Sequence, residues 1–398
     1  MKAKTGMNRG RLAQLLLFAF VLFEADASTI QRRNAKPKPT RGELYLVVKN
    51  GQFGYIDAEG RVVIEPRYAL ASAFSEGMAG VMIRGKKDKT FTAYIDKTGR
   101  IVIKPMEGSG GNFSSGVASV LFGGSYLYID KKGRWASLAS YQNAEDCTEG
   151  LCAVRMDPLG PKRWGYIDTS GAVIVKGQYD WAKPFKEGIA RVGIMIGEPY
   201  TKNGAPAYDG KEGYIDKTGK PITELRFEKA GDFSDGMAQV RVKGKWGYID
   251  KTGNLVISPQ YDETAAFREG FAAVKIDGLW GFINKTGGLA IATQFDYVKG
   301  FSEGLASARK ADKSYYIDRN GNVALSPPFR GLGEFKSGLA TFQQNDKMGV
   351  LEKTGKIILD AHFDSIEILS GGVIRVEDFK KGIGYADRTG RFFWQPTY

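Results

Sequence analysis

Ten near-copies of one short unit run through this chain in register, and that periodicity restricts the fold more than any other feature. A Tyr-Ile-Asp-like string ends in turn at Asp57, Asp96, Asp130, Asp168, Asp216, Asp250, Asn284, Asp318, Glu352 and Asp387. A second marker, Phe-x-Glu-Gly or a variant, starts at Phe74, Phe113, Cys147, Phe185, Phe233, Phe267, Phe301, Phe335 and Leu369. Each of these lies 17 residues after the preceding Asp-type position. The distance onward to the next Asp-type position is 22, 17, 21, 31, 17, 17, 17, 17 and 18. All length variation therefore sits in one half of the unit. A unit this short cannot bury a core alone, so neighbours must stack to make one.

Within the unit the patterning is that of strands. Between Phe233 and Phe267, Ala238, Val240 and Val242 alternate with Gln239 and Arg241, the period of a half-buried strand. Lys243-Gly244-Lys245 reads as a hairpin turn, Trp246 to Asp250 as a second strand, and Lys251-Thr252-Gly253 as the next turn. Asn254 to Ile257 reads as a third strand whose pairing ends at Pro259, which has no N–H to donate. Gln260-Tyr261-Asp262 can open a short fourth strand. The expected packing residues are Tyr248, Ile249, Val256, Tyr261 and Phe267. Gly, at 52 of 398 residues, is about twice its usual share, as many turns between short strands require.

These residues resemble the WG-repeat family of bacterial proteins, also called KWG repeats. The resemblance is strongest from Phe233 to Asp262, where Gly244-Lys-Trp-Gly-Tyr-Ile-Asp-Lys-Thr-Gly253 carries the signature. Trp-Gly stands at Trp164-Gly165, Trp246-Gly247 and Trp280-Gly281, with weaker forms at Phe53-Gly54, Met348-Gly349 and Ile383-Gly384. The units ending at Asp96, Asp130 and Asp318 lack the pair, which puts their local geometry in question but not their register. The resemblance covers roughly residues 43 to 394. It implies a β-rich repeat protein, often exported, and brings no catalytic residues with it. The expected fold is all-β: about ten tandem β-meander repeats over residues 43–398, stacked as an open or superhelical array. The alternative is a closed, propeller-like toroid. Ten units exceed the four to eight blades usual in propellers, which favours the open form.

Upstream of the repeats, Lys2, Lys4, Arg9 and Arg11 precede the apolar run Leu15 to Phe23 and an Ala25-Asp26-Ala27 site. This is the layout of a cleaved secretory signal over residues 1–27, with a run too short to span a bilayer. Residues 28–42 then form a linker, and the protein is expected to be secreted, periplasmic or on the cell surface. Removing four basic and two acidic residues from the +13 chain leaves +11. That surplus permits contact with anionic surfaces. The basic residues are spread along the chain, which argues against nucleic acid as the partner.

No catalytic constellation survives once the repeat is subtracted. The single His, His362, takes the slot of Gln260 in its unit, and one His cannot build a multi-His metal site. Gly300-Phe-Ser-Glu-Gly304 matches a nucleophile-elbow pattern, but Ser302 is the second residue of a Phe-x-Glu-Gly marker. The Asp-x-x-Gly segments read as turns whose carboxylates accept backbone N–H bonds, because one acid per turn is too few oxygens for calcium. Cys147 and Cys152 replace Phe and Ala of the marker segment and, in an exported protein, are expected to form a disulfide. No metal, cofactor or enzymatic activity is expected.

What remains is binding. The three large insertions, Arg84 to Thr92, Met156 to Arg163 and Ile194 to Glu212, all fall between the first and second strands. In a stacked array they share one side. They carry Arg84, Lys86, Lys87, Lys89, Lys162, Arg163, Lys202 and Lys211, with Tyr200 and Tyr208 in the longest. Exposed Tyr beside basic residues supplies contact area and anion pairing at low entropic cost. The expected role is an exported, non-enzymatic module that binds a protein or other ligand. The alternative is an envelope structural protein touching anionic polymers.

Overall fold

Each unit folds as an up-and-down antiparallel sheet. The computed structural model describes residues 42–85, 89–137, 139–156, 163–202 and 205–397, with 198–202, 205–208 and 397 described by backbone alone. Among them are ten sheets of three or four strands, each built from consecutive strands. They are blades 1 to 10, over 45–68, 70–107, 109–141, 143–179, 181–227, 229–261, 263–295, 297–325, 330–363 and 365–397. A full blade has a short strand, then a first, second and third strand. In blade 6 these are Lys229–Ala230, Met237–Val242, Lys245–Asp250 and Leu255–Tyr261.

The first two long strands meet at a two-residue turn with both residues at positive φ, Lys243 at 49° and Gly244 at 78°. That mirror-image turn matches the twist of a hairpin. The third strand differs from the sequence expectation. It does not stop at Pro259 but runs on to Tyr261, because the register jumps there: Tyr248 faces Ile257 and Trp246 faces Tyr261. Four residues on one strand oppose two on the other, so Pro259 sits in a bulge where no donor is needed. The irregularity also moves a packing residue. Val256 is 44% exposed, whereas Ile257 is 3% exposed and takes the core position.

The glycine of the Trp-Gly pair is what permits this crossing. A Cβ at Gly247 would lie 2.4 Å from the Ile257 carbonyl oxygen and 2.7 Å from the Pro259 nitrogen. Gly54, Gly165 and Gly281 meet the same backbone at 2.5, 2.3 and 2.5 Å. The three units named as lacking Trp-Gly do depart locally, and so does blade 5, where Glu212 takes the Trp position and the third strand is reduced to bridges at Pro221 and Phe227. In blade 2, where Ala93 replaces the glycine, the jump shrinks by one residue and Thr92 faces Met106. In blade 3 the third strand is reduced to bridges at Trp135 and Tyr141, and in blade 8 it covers only Val323–Leu325.

The cores lie between blades, not within them. Tyr248, Ile257 and Tyr261 of blade 6 pack with Phe267, Ala272, Val274 and Ile283 of blade 7. Fully burying each of these larger side chains is worth about 1.5–3 kcal/mol. The second-strand Tyr then ties the joint: Tyr248 donates its hydroxyl to the Ala265 carbonyl at 2.7 Å, 17 residues on. Tyr55, Tyr94, Tyr128, Tyr166, Tyr214 and Tyr316 each make the same bond across the same 17 residues. The invariant half-unit is therefore the joint itself.

The array closes, and the expected open or superhelical stack gives way to its toroidal alternative. Ten blades in a line would have nine joints; ten inter-blade clusters are present. The tenth joins Tyr385, Ile383 and Phe393 of blade 10 to Tyr45, Val47 and Ile56 of blade 1. There Tyr385 donates to the Leu46 carbonyl at 2.7 Å, and its ring centroid lies 5.3 Å from that of Tyr45. The end blades use on each other the contacts that join neighbours, so closure requires no extra device.

Candidate binding face of the ring

An up-and-down blade gives the ring two unlike faces. The hairpins between first and second strands emerge on one, the hairpin face. The Asp turns and the Phe-x-Glu-Gly turns emerge on the other, the turn face.

Inter-blade contacts claim most polar side chains of the turn face. Each turn that begins with Asp is capped by its own carboxylate, and Asn284 caps its turn with its amide oxygen. Asp250 Oδ1 accepts the N–H of Thr252 at 2.9 Å and of Asn254 at 3.0 Å. The Thr252 hydroxyl, then these N–H groups, hold its carboxyl below the ordinary range against the opposing effect of burial. At the other turns, Glu76, Ser115, Glu149, Glu187, Asp235, Glu269, Glu303 and Ser337 take φ of 50–54°, a strained conformation for a side-chain-bearing residue. Six of the eight are acidic, and their carboxylates reach the next blade. Glu187 accepts the Gly236 N–H at 3.1 Å and pairs with Lys251 at 3.1 Å. Burial pushes the Glu187 carboxyl up, but Lys251 and Gly236 outweigh it and hold it low. The clamp recurs as Glu76–Lys131, Glu149–Lys217, Asp235–Lys285, Glu269–Arg319 and Glu303–Lys353. The sequence reading missed these clamps, although a basic residue directly after the Asp-type position recurs in phase and was the available signal.

The other chemical candidates take repeat roles. Ser302 donates its hydroxyl to the Phe335 carbonyl at 2.7 Å, as Ser75 does to Phe113 and Ser234 to Phe267. His362 is an exposed residue of the Ile357–Phe363 strand. Cys147 and Cys152 are joined across the Thr148–Leu151 turn and buried in the joint between blades 3 and 4. No group of three or more His, Cys, Asp or Glu side chains able to hold a metal occurs among the described residues.

The hairpin face carries the insertions, in blades 2, 4 and 5, within four consecutive blades of the ten. The longest is a drawn-out hairpin formed by Ile189–Lys202 and Ala205–Asp216; residues 86–88 and 157–162 of the other two lie outside the described residues. Trp181 lies against the base of that hairpin, on a platform of two glycines. A Cβ at Gly193 would come within 2.2 Å of its ring and one at Gly210 within 2.5 Å. Below it, Arg191 pairs with the buried Glu212 at 3.0 Å and with Asp232 at 3.2 Å. Glu212 stands where Trp246 stands in blade 6, so this blade exchanges an aromatic for an ion pair at the root of its hairpin.

The named residues that are described lie in different settings. Arg84 is exposed at the end of its strand. Lys89 is exposed and paired with Glu107 at 3.1 Å. Arg163 pairs with Asp180 at 2.5 Å, the joint contact that Lys245 makes with Asp262 and Lys347 with Asp364, so it serves the frame. Lys211 is half-buried. Tyr200, Lys202 and Tyr208 are placed by backbone along the long hairpin. Lys86, Lys87 and Lys162 lie outside the described residues.

The comparisons with known proteins agree with this architecture. The family model described as a WG containing repeat matches nine times, at 53–86, 93–126, 128–157, 164–194, 213–246, 246–280, 280–313, 316–347 and 348–378. Each match starts near a second strand and ends in or beyond the next blade's first strand, so the sequence unit straddles the joint. A crystal structure of a eukaryotic initiation factor overlays with a TM-score of 0.51 at 13% identity, over 88% of this chain and 95% of that one. Such a likeness speaks to the fold alone. The extracellular domain of a hybrid two-component system protein from B. thetaiotaomicron overlays at a TM-score of 0.28 and 9% identity, over 90% of this chain and 56% of that one, too loosely to bear on the fold. No curated protein matches the chain. With in-phase family matches over most of its length and ten blades built on the same unit, the chain belongs to the WG-repeat family.

Proposed function

We propose that the chain is an exported, non-enzymatic binding module that receives its partner on the hairpin face of the ring. One observation carries the reading: the large insertions are confined to the first-to-second-strand hairpins of blades 2, 4 and 5, while the joint half-unit keeps its 17-residue length throughout. Repeat proteins commonly place such insertions on the binding face. The ring supplies a rigid frame, and the hairpins of neighbouring blades 4 and 5 supply surface free to differ between units. The partner is a protein or an envelope polymer. The +11 charge expected of the exported chain favours the polymer as the second reading.

The test removes the insertions and keeps the joints. Deleting 195–208 brings Asp209-Gly210 into the two-residue turn position, while Arg191 and Glu212 stay in place. Replacing 84–90 and 157–162 with Asn-Gly restores the same turn in the other two blades and spares Arg163. Parent and trimmed protein are then immobilised and exposed to the envelope fraction of the source cells. A partner held by the parent and lost by a folded trimmed protein supports the reading. Unchanged capture by the trimmed protein places the site elsewhere, and capture abolished by moderate salt favours the anionic polymer. Mass spectrometry of the exported protein should find Ser28 at its N-terminus; retention of Met1 would remove the export part of the proposal.

A further inference from the structure

Blade 8 differs from blades 6 and 7 at three places that line two adjoining hollows. In blade 7 a row runs across the sheet through Glu263, Lys275, Trp280 and Phe295. Lys275 pairs with Glu263 at 2.8 Å and sits over the Trp280 ring at 5.7 Å. The corresponding row of blade 8 begins Tyr297, Arg309, Ser314. The acid has become Tyr297, and the indole has become the small Ser314. The third change is in the segment leading to blade 9, where Arg330 stands in the place of Asp262. In blade 6 Asp262 neutralises Lys245 at 2.5 Å; in blade 8 the matching residues are Lys313 and Arg330, of like charge.

The missing indole leaves a surface cleft of ≈ 320 Å³ with Arg309, Ser314 and Arg330 in its lining. A smaller hollow of ≈ 130 Å³ shares Arg309 and Ser314 and continues to Lys299, Ala308 and Leu332. Asp296 and Asp312 also line the larger cleft, and Asp296 is engaged with the Ala311 N–H at 2.7 Å. Among the described residues no ion pair is made by Arg309, Arg330 or Lys299, whereas Arg241 and Lys275, which match Arg309 in blades 6 and 7, pair with Glu228 at 3.9 Å and Glu263 at 2.8 Å. Two guanidinium groups that make no ion pair among the described residues thus border a space that blades 1, 3, 4, 6 and 7 fill with an aromatic ring.

We infer that this cleft binds a small aromatic carboxylate. The ring occupies the place of the absent Trp and stacks under Arg309, as Trp280 lies under Lys275. The carboxylate takes the place of the absent Asp and pairs with Arg330, whose planar fork matches it. The inference is independent of the hairpin insertions, which lie in other blades. Calorimetric titration of the full protein with indole-3-carboxylate, with inorganic phosphate as the comparison anion, tests it. Indole-3-carboxylate should bind the parent and bind R309Q/R330Q at least tenfold more weakly. The variant S314W/R330D restores the repeat residues. It should lose binding while its urea midpoint stays at or above the parent's, which separates an occupied site from a folding defect. No binding to the parent, undiminished binding to S314W/R330D, or phosphate binding as tight as the aromatic acid would each overturn the inference.

Discussion

Replacing Gly247 with Ala should destabilise the ring, whereas the same substitution at Gly80 should not. Both glycines lie in strands at negative φ, so neither change is penalised by backbone conformation. They differ in what a methyl group would meet. At Gly247 it would lie 2.4 Å from the Ile257 oxygen, 2.7 Å from the Pro259 nitrogen and 2.9 Å from the Ser258 carbonyl carbon. All three are backbone atoms of the bulged third strand, which cannot step aside as a side chain can. At Gly80 the nearest atom is a Tyr94 ring carbon at 3.5 Å, an ordinary contact. Overpacking a tight site costs about 1–3 kcal/mol. Losing a glycine from the unfolded chain returns about 0.4–1 kcal/mol in both variants. The expected net is a loss of about 1–2 kcal/mol for G247A and a change between zero and a gain of about 1 kcal/mol for G80A. Urea unfolding followed by fluorescence reads the difference, and amide exchange over 255–261 locates it, since the third strand of blade 6 should open first. Equal midpoints for the two variants would refute the claim that the Trp-Gly glycine exists for the strand crossing.

The joint hydroxyl has a built-in control in blade 7, where Phe282 occupies the Tyr position and is fully buried. Y248F should lower stability by about 1 kcal/mol and F282Y should raise it by up to about 1 kcal/mol through a new bond to the next blade; changes of the same sign would contradict the joint's chemistry. The clamp carboxylates Glu76, Glu187, Asp235 and Glu269 are held below their ordinary values of 4.5 for Glu and 3.8 for Asp. Their contribution is complete above those values and is lost as pH falls through the lower folded-state values, so the melting temperature should drop below about pH 4.5. E187Q, which weakens one half-exposed pair, should cost about 0.5–1 kcal/mol and flatten that drop slightly; a melting temperature independent of pH from 6 to 3 would count against the clamps. Unreduced, unfolded protein should show no reactive thiol, and cutting the Cys147–Cys152 bridge should cost on the order of 2 kcal/mol; two reactive thiols would mean the bridge is not formed.

The strand order, the two-residue hairpins and the Asp turns were legible because local physics dictates them: a period of two, Gly at positive φ, a carboxylate two and four residues from the N–H groups it accepts. The constant 17-residue spacing marked the joint. The three units named as lacking Trp-Gly are places of local change, but blade 5, where Glu212 replaces the Trp and the third strand is reduced to bridges, was not among them. Val256 was misassigned because a simple alternation cannot anticipate a register jump, which exposes two residues in succession before Ile257 turns inward. Closure was hidden for a different reason. Tyr385 and Leu46 are 339 residues apart, and their bond uses the same residue type as every neighbouring joint, so no end-specific signal exists to read. The candidate site was legible as a location more than as a set of side chains. Insert lengths placed it on one face, but a basic residue in an insert can be a frame residue, as Arg163 is through Asp180. The blade 8 cleft required the structure, because it is made by substitutions in three strands or links that become neighbours only in the folded sheet.

Closure is the claim that sets the overall architecture and adds the tenth joint, and electron microscopy of single particles tests it most directly. Class averages viewed down the axis should show a closed ring of ten similar blades, and Y385F should leave the ring intact but lower its melting temperature as Y248F does. Averages showing a rod, a crescent or a superhelix with two free ends would contradict the account.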